Sequence, residues 1–248
     1  MFNKFKRTLL WTVAAGAVIT LGHASASAQE AKLKLFTENY PPFNYEDPAN
    51  KGTVTGWATD ILVEVMKRAN VQYDIELLPW KRAYEGALNE PNTCVYTAAL
   101  TDERKPLFKW VAPVLPNDWV LFAHKDADIK VSSLEDAKKY KIGSYNGDAK
   151  ADFLKAQGIQ PDIAPNDELN PRKLESKRID LWIASANTAP ILAKEQGVAI
   201  KPVFTVREGV LGLACNKGLP DAVVDKLNAE LQAVVKSGLP DKLKAKYQ

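Results

Sequence analysis

An α/β fold is predicted by two regularities that run through residues 29–248. Short apolar runs alternate with longer amphipathic ones, and the clusters between them are rich in proline, glycine and small polar residues. Residues 32–37 alternate as a strand, after which Tyr40, Pro41, Pro42 and Phe43 form a rigid loop, because two prolines fix the backbone and remove its donors. Residues 56–70 form a helix, with Ile61, Leu62, Val65, Met66 and Ala69 at helical spacing, Asp60 early and Lys67 and Arg68 late, as the helix dipole favours. Residues 71–78 alternate as a second strand, 81–88 form a second helix and 94–100 a third strand.

A turn is expected at 101–105, followed by an apolar segment, 108–116, broken by prolines. Residues 119–123 and 142–144 read as strands, and 133–139 and 150–157 as helices. The second half repeats this logic, with a strand at 178–184, a short helix at 188–195 and a long amphipathic helix at 222–237. Val223, Val224, Leu227, Leu231, Val234 and Val235 form its apolar stripe, and Gly238 with Pro240 ends it.

Lys4, Lys6 and Arg7 precede an apolar run at 9–21 and the small residues Ala26, Ser27 and Ala28, which together read as an export signal over residues 1–28 cut before Gln29. That run is shorter than the roughly 20 residues a membrane-spanning helix needs, and no cysteine adjoins the cut, so a soluble periplasmic product is expected. The signal holds three of the 33 Lys and Arg and none of the 30 Asp and Glu, so its removal leaves a neutral chain. A basic footprint for nucleic acid or an anionic membrane is therefore not expected.

The 220 remaining residues suit one large domain or two small lobes. They keep a single histidine, His124, which excludes a His-rich zinc site and reads as a strand terminus rather than a catalyst. Cys94 and Cys215 lie 121 positions apart, and a disulfide and two buried free thiols are both compatible with the sequence.

Arg104 follows the third strand. Open α/β sheets bind small molecules beyond the C-terminal ends of their strands, and a guanidinium there can hold a carboxylate through two parallel hydrogen bonds. The competing reading is a surface arginine paired with Asp102 or Glu103.

Several stretches carry a resemblance in a shared order: Tyr40 to Phe43, Gly56 to Asp60, Thr101 to Arg104 with the apolar run after it, Ile142 and Gly143 through Gly147 and Asp148, Arg178 to Asp180, and the closing Leu243 to Tyr247. Over essentially all of residues 31–248 the chain resembles the family 3 extracellular solute-binding proteins, periplasmic receptors that feed polar amino acids to ABC importers. The resemblance implies a two-lobed periplasmic binding protein-like fold of type II, its lobes joined by two crossing strands. One lobe would comprise 29–116 with 207–248, and the other 117–206. It further implies a monomer that needs no cofactor or metal and works with an ABC transporter permease. Arg104 would be the carboxylate clamp, Thr97 and Ala99 would offer a hydroxyl and backbone donors beside it, Tyr40 an aromatic wall, and Trp80 part of the pocket floor. Trp57 would pack rather than touch ligand.

Gly147 and Asp148 open a helix whose free N–H groups attract anionic ligand atoms. The family's ammonium anchor, a carboxylate, would fall here at Ser185, with Asn187 nearby, and neither is charged. Asp148 is thus either the ammonium partner or a helix cap, or else the ligand is not a standard α-amino acid. Tyr40, Phe43, Trp80, Tyr96, Tyr145 and Trp182 could line an aromatic cleft or sit in the core. Two other roles exist on this scaffold: an enzyme resembling cyclohexadienyl dehydratase, with Asp148 or Glu38 as general acid, and a sensory protein that presents its ligand to a receptor.

Overall fold

The computed structural model describes Met1 and residues 32–247, so the export signal read at residues 1–28 lies, Met1 apart, outside the described residues. The chain begins with β1 (Leu33–Thr37), the hairpin strands β2 (Tyr45–Glu46) and β3 (Val54–Thr55), α1 (Trp57–Arg68), β4 (Tyr73–Leu77), α2 (Trp80–Asn89), β5 (Thr93–Ala99) and β6 (Lys109–Pro116). It continues through β7 (Trp119–His124), α3 (Leu134–Ala137), β8 (Ile142–Tyr145), α4 (Ala149–Ala156), β9 (Asp162–Ala164), α5 (Asn170–Glu175), β10 (Leu181–Ser185), α6 (Thr188–Glu195) and β11 (Ile200–Arg207). It then returns with β12 (Val210–Cys215), α7 (Asp221–Lys236) and α8 (Leu239–Tyr247).

Two five-stranded sheets result, ordered β4-β1-β5-β12-β6 and β11-β7-β10-β8-β9. In each, three neighbouring strands are parallel (β4, β1 and β5; β9, β8 and β10), and two antiparallel strands complete the sheet. The α/β, two-lobed, periplasmic binding protein-like architecture is therefore the observed one. Both faces of each sheet are covered, which is why the parallel strands read as nearly continuous apolar runs. On the first sheet, α1 and α7 bury Ile61, Leu62, Val65, Leu227, Leu231 and Val234, while α2 covers the other face with Ala83 and Ala87. The cluster under α2 is continued by Tyr145 and Ala164 from the second sheet, so apolar contact as well as hydrogen bonding joins the two bodies.

The chain crosses between the sheets twice, at residues 117–118 and 208–209. The crossings lie against each other, since the Asn117 N–H donates to the Gly209 carbonyl at 2.8 Å. A Cβ on Gly209 would stand 2.7 Å from the Asn117 oxygen, so only glycine allows this approach.

Several local expectations are corrected. The segment expected at 108–116 is not broken by its prolines: residues 109–116 form β6, an edge strand, where the ladder does not need every N–H. The strand expected at 178–184 begins only at Leu181, because the Asp180 carboxylate accepts the Lys141 N–H at 2.8 Å and holds the preceding residues in a turn. The helix expected at 133–139 is one turn, capped by Ser133. Val235 lies outside the buried stripe of α7 and is exposed. Gly238, at φ 72°, does end α7, but Pro240 sits in the first turn of α8, where a missing N–H is no loss. Trp57 is a packing residue, as expected, with its indole N–H on the Pro240 carbonyl at 2.9 Å.

Cys94 and Cys215 face each other across β5 and β12 and form a disulfide. Replacing both by serine should lower the unfolding free energy by about 2–5 kcal/mol, since the bond closes a long loop in the unfolded chain. Urea titration of the oxidised wild type beside the double variant measures this, and equal midpoints would contradict it.

Candidate binding cleft

The C-terminal ends of the parallel strands face one another across the junction of the sheets. Glu38, Asn39 and Tyr40 follow β1, Trp80 opens α2 just after β4, and Arg104 follows β5. Opposite them, Gly147, Asp148 and Lys150 follow β8, Asp167 follows β9, and Ser185 and Asn187 end and follow β10. The Trp80 indole N–H and an Arg104 Nη2 N–H both donate to the Gly147 carbonyl, at 2.8 and 2.9 Å. The Tyr145 hydroxyl donates to Glu38 at 2.8 Å, and the Asn39 amide donates to Glu168.

Arg104 turns inward and is 6% exposed. Its guanidinium lies over Tyr84 and Trp80, 4.8 and 5.5 Å from the ring centres. The surface reading fails, because Asp102 instead takes the Lys105 ammonium at 2.7 Å. Of the five N–H bonds of the fork, one meets an acceptor, Gly147 O, among the described residues.

Thr97 and Ala99 lie on the last part of β5, where Tyr96 and Thr97 together oppose Leu213 as a bulge. Thr97 adopts φ 57°, rare for a β-branched residue, and its hydroxyl is held on the Tyr96 carbonyl at 2.6 Å and near the Thr37 hydroxyl. Ala99 stays in register with Leu211. Ser185 is buried, and its hydroxyl accepts the Asn187 N–H at 3.2 Å, which ties those two residues into one turn.

Gly147 turns with φ 78° and hands the chain to Asp148, the N-cap of α4, whose carboxylate accepts the Lys150 N–H at 3.2 Å and the Ser144 hydroxyl at 3.0 Å. The same carboxylate holds the Lys150 ammonium at 3.0 Å, so capping and ammonium binding coexist, with a lysine of the chain itself as the ammonium. Lys150 is 3% exposed and sits 5.6–5.8 Å from the ring centres of Tyr145, Tyr40 and Trp119. Burial alone would pull its pKa down, but Asp148, helped by Tyr40 and Asp167, outweighs that and holds it above the ordinary lysine value.

Three buried groups surround this pair. Burial lifts Glu38 well above the usual carboxylate range, with Asp148 and Asp167 adding to the rise and the Tyr145 hydrogen bond opposing it. Burial pushes the Tyr40 hydroxyl up to about 12, and it has no hydrogen-bond partner among the described residues. Asp167 is 2% exposed; its Oδ1 accepts the Trp182 indole N–H at 2.8 Å and the Asn170 amide at 2.9 Å, while Oδ2 has no hydrogen-bond partner among the described residues. Burial raises its pKa to about 6, against the pull of Lys150. Of the candidate aromatics, Tyr40, Trp80 and Tyr145 reach the junction, whereas Phe43, Tyr96 and Trp182 are core residues.

Asp167, Lys150 and Trp119 were not legible as site residues. The one available signal was Lys150 itself, a cation in the first turn of a helix where the dipole disfavours it. An open groove of about 640 Å³ lies outside this cluster, between Pro41, Tyr45, Glu168 and Ile191, and the candidate residues do not line it. Among the described residues no group of His, Cys, Asp and Glu is arranged to hold a metal, and no helix is long and apolar enough to cross a membrane.

The model of the bacterial extracellular solute-binding proteins, family 3, matches residues 33–248. A probable histidine-binding protein of Neisseria gonorrhoeae is 29% identical over 236 residues, covering 90% of this chain and 86% of that protein. Among solved structures, a histidine kinase sensor domain with similarity to periplasmic binding proteins superposes with a TM-score of 0.80 at 15% identity, covering 87% of this chain and 95% of that one. The P235GK mutant of ArgBP from T. maritima gives 0.75 at 20% identity, covering 87% and 94%.

Replacing Lys150 by alanine should destabilise the protein by about 3–5 kcal/mol in denaturant unfolding, because Asp148 would remain buried without its cation. A second expectation concerns pH. The folded protein holds a proton on Asp167 up to about pH 6, while the unfolded chain has lost it. Stability from this group is therefore full below the unfolded pKa near 4 and declines as pH rises to 6, by roughly 3 kcal/mol. Urea midpoints at pH 4.5 and 7 should show that decline in the wild type and less of it in Asp167→Asn; identical profiles would refute it.

Proposed function

Since the chain belongs to the bacterial extracellular solute-binding proteins, family 3, we propose that it is the periplasmic receptor of an ABC importer, capturing a small carboxylate-bearing solute, an amino acid or a close relative. The observation that carries this reading is Arg104, a shielded guanidinium between two sheets with most of its fork unengaged. A main-chain carbonyl takes one N–H, and a carboxylate would take a parallel pair from the same fork, in a setting where water competes poorly.

The lobes of this reading are residues 29–116 with 207–248, and 117–206, swinging about the paired crossings at Asn117 and Gly209. A ligand that touches both lobes stabilises the closed form, and the permease reads closure. Thr97, Ala99, Tyr40, Trp80, Gly147, Asp148, Ser185 and Asn187 complete the proposed binding surface. The export signal, cut after residue 28, delivers a soluble monomer to the periplasm, and the disulfide suits that oxidising compartment. The receptor acts without catalysis. The relative named for histidine puts polar amino acids first in a screen.

One observation favours a second reading, a dehydratase on this scaffold. Glu38 is buried, held by that burial well above the usual carboxylate range, and hydrogen-bonded at the junction, as a general acid would be. Turnover of a prephenate-like acid separates this from capture.

Arg104→Ala should abolish the rise in melting temperature that the best solute in an amino- and organic-acid screen gives the wild type. Arg104→Lys, which keeps the charge but not the planar fork, should weaken binding about tenfold or more. Undiminished stabilisation in both variants would remove the clamp.

A further inference from the structure

The open groove beside the cleft, about 640 Å³ in volume, is walled by both bodies. Small-molecule sites occupy roughly 300–1,000 Å³, so it is large enough to hold one. The first body supplies Pro41 and Pro42 after β1, Tyr45 and Glu46 of β2, and Tyr247 at the end of α8. The second supplies Glu168 after β9, and Ile191 and Glu195 of α6. Two contacts place the walls: the Asn39 amide donates to the Glu168 side chain across the junction, and the Gln196 amide donates to the Glu168 carbonyl at 2.6 Å.

The chemistry of this lining is one-sided. No lysine or arginine belongs to it, and Glu46, Glu168 and Glu195 enter no ion pair among the described residues. Glu46 uses one oxygen on the Gly52 N–H at 2.9 Å and Glu168 uses one on Asn39, so each keeps a second oxygen for an incoming donor. Donors are scarce, because the prolines carry no N–H, the Asn39 amide is engaged, and the Tyr247 hydroxyl donates to Asp60 at 2.6 Å. Lys246 lies 4.6 Å from the Tyr247 ring centre, but Asp60 already holds its ammonium at 2.9 Å.

A point cation does not match this arrangement, since the three carboxylates do not gather as metal ligands do. Acceptors on both walls, with proline, isoleucine and tyrosine surface between them, match a molecule that carries ammonium groups at its ends and methylene groups in the middle.

We propose that the groove is a second binding site, separate from the cleft, for a linear aliphatic di- or polyamine, with one ammonium on Glu46 and another on Glu168 and Glu195. Such a ligand touches both bodies, and its binding stabilises the arrangement in which they face each other. The site does not depend on what the cleft captures.

The test is calorimetric. Wild type is titrated with putrescine and spermidine, and with butylamine as the one-ended control. The two polyamines should bind saturably at one site per chain, and butylamine should bind about tenfold or more weakly, because it leaves one wall unmatched. Glu168→Gln, which keeps an oxygen for the Asn39 amide, and Glu195→Gln should each weaken putrescine about three- to tenfold. Ile191→Trp fills the groove while keeping every carboxylate, and it should weaken putrescine at least about tenfold. The absence of saturable polyamine binding overturns the proposal, as does equal affinity for putrescine and butylamine. Unchanged affinity in both glutamine variants, or in Ile191→Trp, also overturns it, since the amine would then be drawn to acidic surface in general. Loss of putrescine binding in Arg104→Ala would place the amine in the cleft and overturn the second site. The melting-temperature screen on Arg104 reads solute capture separately, so either proposal can fail while the other stands.

Discussion

The Gly147 carbonyl accepts from Trp80 at 2.8 Å and from Arg104 at 2.9 Å, and through it the second sheet is tied to the first. The backbone presents that oxygen because Gly147 takes a positive φ, a conformation that residues with a Cβ adopt at a cost. Once Gly147 is placed, Asp148 falls at the N-cap of α4 and Lys150 falls two residues later, inside the junction. The fork of Arg104 is in turn steadied by two aromatic faces and this single acceptor. The one hydrogen bond that Arg104 makes to the second sheet and the start of α4 that carries Lys150 therefore share one turn.

The electrostatics follow from burial more than from the number of charges. Residues 29–248 are neutral in total, yet at the junction three carboxylates, a lysine and an arginine are withdrawn from water together. Low local dielectric makes each unmatched charge expensive, which separates the three acids by environment. Asp148 sits beside an ammonium, burial lifts Glu38 well above the usual carboxylate range, and burial raises Asp167 to about 6.

Much of the fold was legible because its cues are local. The stripes of α1 and α7 and the alternation of β1 and β4 needed only neighbouring residues to be read. What was missed depended on neighbours far along the chain. Residues 109–116 are a strand because β12 lies beside them, and the strand expected from Arg178 starts late because Asp180 finds the Lys141 N–H across the sheet. In the cleft, Arg104 could be singled out by its place after a strand, whereas Asp167 carried no local mark. Nothing near Asp167 in the sequence announces that Trp182 and Asn170 will converge on one of its oxygens and leave the other bare.

The sequence by itself determined the α/β class, the order of its main elements and the arginine on which the functional reading turns, because hydrophobic period and strand-end position are properties of short segments. Only the tertiary structure decided that the two cysteines are bonded, that the cap Asp148 is satisfied by the chain's own Lys150, and that one oxygen of Asp167 meets no donor among the described residues. The reason is physical. A charge or thiol is defined by what stands within a few ångströms of it, and those neighbours are brought there by strands and loops that lie far apart along the chain.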